Sequence, residues 1–121
     1  MAIKNFKDIF VWQKAHELAL LVYQLTKKYP KDELYGLVSQ SRRAVVSVPS
    51  NLVEGFKRFG NQEDLHFCNI AQASLEELRY QLLLAKDLGY ITQQEFQEVE
   101  NLAEETAKLM HLWIKNKNKN Q

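Results

Sequence analysis

Apolar residues recur at alternating spacings of three and four along most of this chain, with breaks at Pro30, between Gly55 and Gly60, and at Gly89. That spacing follows the 3.6-residue period of an α-helix. Strands would need a period of two and frequent turns. Four glycines and two prolines in 121 residues supply too little turn material for many short strands. The chain is therefore expected to form one all-α domain built from a few long elements.

Four stripes define four helices. The first is predicted over residues 8–28, with Val11, Ala15, Leu18, Val22, Leu25 and Tyr29 in its stripe and Trp12, Ala19 and Tyr23 in a second apolar strip beside it. Pro30 stops it, and Lys27 and Lys28 suit the negative end of its dipole. The second is predicted from Leu34 to Lys57, with Asp32 as N-cap. Its stripe is Leu34, Leu37 or Val38, Ser41, Val45, Val48, Leu52 and Phe56, and its exit runs from Gly55 to Gly60. The third is predicted from Gln62 to Leu88, with Asn61 as N-cap and Gly89 at the left-handed position that ends helices. Cys68, Ala71, Leu75, Leu78, Leu82 and Ala85 form its stripe. The fourth starts at Thr92, which pairs with Glu95 in a capping box, and buries Phe96, Val99, Ala103, Thr106, Met110 and Trp113. Short loops between helices of roughly 35 Å force antiparallel neighbours, hence an up-down-up-down four-helix bundle over residues 1–115. The tail 116–121 has no apolar residue and is expected to be disordered.

The single cysteine excludes an internal disulfide framework and suits a reducing compartment. No signal peptide is recognised at the N-terminus, and no apolar run approaches the roughly 18 residues of a membrane span. A cytoplasmic protein with no membrane contact is expected. Charge is unevenly spread. Residues 1–58 carry ten Lys/Arg and five Asp/Glu, residues 59–107 carry two and ten, and residues 108–121 carry four lysines and no acid. A basic half facing phosphate or an acidic partner is one consequence; solvated helix faces are the other.

More apolar surface is present than one bundle needs. Trp12 and Tyr23 flank the first stripe, and Phe67, Ile70, Leu84 and Leu88 flank the third. Such surplus marks a protein–protein contact, and self-association is expected. On the second helix, Gln40, Arg43, Ser47, Ser50 or Asn51, Glu54 and Arg58 fall at i+3 or i+4 steps as a polar stripe. Pro49 lies within it, and a proline in a helix interior costs about 3 kcal/mol. It is expected to kink the helix and free a carbonyl, with Ser47, Ser50 and Asn51 available to satisfy the local backbone.

Enzyme chemistry finds little support. Glu63 and His66 form one Glu-x-x-His motif, but the residues three before His16 and His111 are Gln13 and Lys108, so the second motif of a carboxylate-bridged metal site is missing. Cys68 lies two residues from His66, about 200° around a helix, and cannot pair with it. No Gly-rich phosphate loop or zinc spacing occurs. No metal, cofactor or small-molecule substrate is expected. Phosphate binding has a looser basis in Arg42, Arg43, Lys57 and Arg58 with Phe59 alongside.

Several segments together carry a resemblance. They are Phe6-Lys7-Asp8-Ile9 with Val11-Trp12-Gln13-Lys14-Ala15, Tyr35-Gly36-Leu37 with Ser39-Gln40 and Arg42-Arg43-Ala44, Ser47-Val48-Pro49-Ser50-Asn51 with Glu54-Gly55, and Leu82 through Gly89-Tyr90. Over Phe6 to about Trp113 the chain resembles the bacterial four-helix-bundle proteins found as reading frames inside intervening sequences of large-subunit ribosomal RNA genes. The resemblance implies a ring-like homopentamer without known enzymatic activity. One branch of that family is similar to the accessory protein of diversity-generating retroelements, which binds a reverse transcriptase and nucleic acid through a basic pentamer surface. This chain is nearly neutral and lacks such a surface, so Arg42, Arg43, Lys57 and Arg58 are its candidate nucleic-acid contacts. Candidate interface residues are Trp12, Tyr23, Gln40, Arg43, Ser47, Ser50, Asn51 and Glu54. The expected function is a non-enzymatic, self-assembling adaptor for RNA or an RNA-processing partner. The alternative is a direct nucleic-acid-binding accessory protein of the reverse-transcriptase partner type.

Overall fold

The computed structural model describes residues 3–60 and 62–120, with side chains through Lys117. Four helices fill it: α1 (Phe10–Thr26), α2 (Ser39–Lys57), α3 (Gln62–Asp87) and α4 (Gln93–Asn120). A 3-10 turn at Phe6–Asp8 precedes α1. There is no strand among the described residues. Each helix packs on its neighbour in sequence, and α1 also packs on α4, which closes an antiparallel four-helix bundle.

The stripes become the core. Val11, Ala15, Leu18, Val22, Leu25 and Tyr29 are buried with Val45, Val48 and Leu52 of α2, Cys68, Ala71, Leu75, Leu78, Leu82 and Ala85 of α3, and Val99, Ala103, Thr106 and Met110 of α4. Phe56, Phe96 and Trp113 sit half-buried against this cluster. The capping box forms: the Glu95 carboxylate accepts from the Thr92 N–H at 2.8 Å, and the Thr92 hydroxyl accepts from the Glu95 N–H at 3.0 Å. Gly89, at φ +81°, ends α3 as its left-handed terminus. Asn61, expected to cap α3, lies outside the described residues.

Three local expectations change. The N-terminal cap of the second helical segment is Glu33 rather than Asp32, because the Glu33 carboxylate accepts from the Leu37 N–H at 3.1 Å. The chain enters α2 through a 3-10 turn (Lys31–Glu33) and a π-turn (Leu34–Val38), and this wider turn leaves Leu34 exposed instead of in the core. The second helix, expected unbroken from Leu34 to Lys57, is interrupted at Gly36 (φ −112°, ψ −113°), and α2 contains Pro49 within its span. A side chain at Gly36 would collide with the Glu33 carboxylate, whose Oε1 would lie 2.6 Å from a Cβ.

Residues 116–120 continue α4, and Lys117 is buried. Its ammonium reaches Asp64 Oδ2 at 2.6 Å and lies over the rings of Trp113 and Phe59, at 4.5 and 4.7 Å from their centroids. No local apolar pattern announces these contacts of Lys117.

Candidate interaction surface

α2 presents two adjacent strips to the outside. One is apolar and partly exposed: Val46, Pro49, Val53 and Phe56 follow each other at spacings of three and four, one step around from the buried stripe. The other is the polar stripe. Within it Gln40, Arg43 and Ser50 are exposed, while Ser47, Asn51, Glu54 and Arg58 are half-buried.

The polar members are not equivalent. Ser47 and Ser74 of α3 share a hydrogen bond of 2.8 Å. The Asn51 amide donates to the Ser47 carbonyl at 2.8 Å and to its hydroxyl at 2.9 Å. These two side chains therefore link α2 to α3 and satisfy backbone one turn away. Pro49 withholds the N–H that the Val45 carbonyl would receive in a regular helix. Arg58 Nη1 donates to the Glu54 carboxylate at 2.7 Å, Nε donates to Glu63 at 2.8 Å, and its guanidinium lies 4.7 Å from the Phe67 ring centroid. The hydrogen bonds to Glu54 and Glu63 raise its pKa further above the ordinary guanidinium value.

The four basic candidates do not gather into one patch. Arg43 and Lys57 are fourteen positions apart on one helix, about 21 Å along its axis. Arg42 turns toward α1, where its Nε donates to Thr26 Oγ1 at 2.9 Å, and its guanidinium lies over the Tyr23 ring at 4.6 Å. It closes the end of α1, whose last carbonyls have no partners within the helix. Arg42 and Arg58 thus serve intramolecular contacts. Arg43 and Lys57 are exposed and have no ion pair among the described residues.

On α1, Trp12 is half-buried between Phe6, edge-on at 5.0 Å, and His16, stacked at 5.2 Å. Tyr23 is exposed beneath Arg42. Further apolar side chains stand at the pole where α1 ends and α2 begins: Leu34 is 52% exposed and Tyr35 is 91% exposed.

Close packing of α2 on α3 depends on Gly55, a residue the sequence marks only as a helix exit. A Cβ there would lie 2.9 Å from Asp64 Oδ1, 3.2 Å from the Asp64 carbonyl oxygen and 3.5 Å from Cys68 Sγ. Cys68 is buried; burial, followed by the Asp64 charge, pushes its thiol up to about 11, far from the thiolate a nucleophile needs. No group of three or more His, Cys, Asp or Glu side chains suited to a metal occurs among the described residues. No helix among them is long and apolar enough to cross a membrane.

The family described as 23S rRNA-intervening sequence protein matches residues 7–112. A solved structure from Bacteroides thetaiotaomicron VPI-5482, a protein of unknown function from the S23 ribosomal protein family, is 26% identical. It superposes with a TM-score of 0.77 over 87% of this chain and 98% of that one. A comparison with curated proteins found no match.

Proposed function

The chain belongs to the 23S rRNA-intervening sequence protein family, and from that premise we propose that it is a non-enzymatic, self-assembling helical bundle that acts as an adaptor for RNA or an RNA-processing partner. The observation that carries this reading is the partly exposed apolar strip Val46, Pro49 and Val53 on α2. An apolar strip that leaves the core of its own bundle intact is available to a second copy. Gln40, Arg43 and Ser50 border it as polar groups at its rim. The assembly proposed is the homopentamer that the family resemblance implies.

Native mass spectrometry of the purified protein tests this. The expected species contains five chains. A species of one 14.2 kDa chain at micromolar concentration overturns the reading.

Arg43 and Lys57 favour a second reading, direct nucleic-acid binding, because both are exposed without an ion pair among the described residues. RNA binding that weakens with salt, and that Arg43→Ala with Lys57→Ala removes without altering assembly, is its expected signature. Salt-independent binding, or an unaffected double variant, rejects it.

A further inference from the structure

A cavity of about 460 Å³ lies between the end of α1 and the entry to α2. That volume falls within the roughly 300–1,000 Å³ typical of small-molecule sites. Lys27, Lys31 and Arg42 line it, and no acid among the described residues does. Lys27 and Lys31 are exposed and have no ion-pair partner among the described residues.

Arg42 is the organised member of the three. Its contacts with Thr26, the Tyr23 carbonyl and the Tyr23 ring hold the guanidinium in place. A guanidinium has five N–H donors in a rigid plane, and those contacts occupy only part of them. A fixed fork of donors beside two exposed ammonium groups suits phosphate, and the fixation lowers the ordering cost of binding. The remaining wall is apolar, formed by Pro30, Leu34 and Val38. Tyr29 also lines the cavity. It is 6% exposed, and its hydroxyl is itself buried and has no hydrogen-bond partner among the described residues. Burial raises that phenol to about 12, so it remains a donor at any physiological pH.

We propose that this cavity binds a phosphate monoester carried on a flat apolar body, the chemistry of a nucleoside monophosphate. The phosphate sits among Lys27, Lys31 and Arg42, and the base lies against Pro30, Leu34 and Val38. The same group occurs on a free nucleotide and at the 5′-phosphorylated end of a strand. The site lies within one chain and does not depend on self-assembly.

Isothermal titration of the full chain at low salt, with AMP, adenosine, and an RNA hexamer with and without a 5′-phosphate, tests the proposal. AMP is expected to bind at least about tenfold more tightly than adenosine, since a charge-assisted bond is lost with the phosphate. Lys27→Ala with Lys31→Ala is expected to weaken AMP by at least about tenfold while leaving thermal stability unchanged, because exposed lysines hold little of the fold together. Equal binding of AMP and the phosphorylated hexamer supports the strand end, and AMP alone supports the free nucleotide. No binding of either at millimolar concentration, adenosine binding as well as AMP, or an unaffected double variant overturns the proposal.

Discussion

Asp64 and Lys117 stand 53 positions apart and meet as a buried ion pair, with 2.6 Å between carboxylate and ammonium. Asp64 lies in the first turn of α3 and Lys117 in the last turns of α4, so each charge also sits at the helix end whose dipole favours it. Removing the ammonium strands a buried carboxylate. Lys117→Ala is expected to destabilise by about 3–5 kcal/mol, whereas Asp64→Leu with Lys117→Met costs much less, since a matched apolar pair leaves no buried charge. Urea unfolding of the single and double variants measures both. Equal losses in the two would show that packing, not charge, dominates at this site.

Gly55 reverses a common rule. Gly→Ala in a helix interior ordinarily stabilises by roughly 1 kcal/mol. Here the new methyl would lie 2.9 Å from Asp64 Oδ1 and 3.2 Å from a backbone oxygen. Gly55→Ala is therefore expected to destabilise by about 1–3 kcal/mol, as overpacking does. A rise in melting temperature would refute the close approach of α2 to α3.

Glu33 makes the fold acid-sensitive at one pole. The Leu37 N–H and then the Tyr90 hydroxyl, which donates at 2.8 Å, hold its carboxyl below the ordinary value of 4.5. A depressed carboxylate contributes stability that is full above its unfolded-state pKa and is lost as pH falls through the lower native value. Denaturant titrations from pH 6 downward should show wild type losing its advantage over Glu33→Gln below about pH 4.5. A constant difference between the two across that range would contradict the assignment.

Cys68 should behave in the opposite sense. Its raised pKa contributes stability that is present below the unfolded thiol value, about 8.5, and that is lost as pH rises toward about 11. Stability measured against Cys68→Ala should converge over that window. Iodoacetamide at pH 8 should label the native protein far more slowly than the unfolded chain; rapid native labelling would show an accessible thiolate.

Much of the fold was legible because helix periodicity is a local property. Val45, Val48 and Leu52, or Leu75, Leu78 and Leu82, lie on one face through spacing alone, and all six are buried. Thr92 with Glu95, and Gly89, announce helix ends because a cap is made by residues three or four apart. The candidate surface was less legible. Arg42 and Arg43 are adjacent and chemically alike, yet Arg42 closes α1 while Arg43 faces outward. Ser47 belongs to a polar stripe in sequence and to an α2–α3 contact in space.

The number of helices, most of their core faces and their antiparallel order follow from spacing and loop length alone. The remainder is set by contacts distant in sequence: that Lys117 is interior, that Gly55 is a point of contact, that an irregular turn falls at Gly36, and that Lys27, Lys31 and Arg42 surround one cavity. Each of these depends on a partner on another helix or across a turn. The free energy of a buried charge or a close backbone approach is set by what lies opposite it, and the local pattern of a chain does not carry that information.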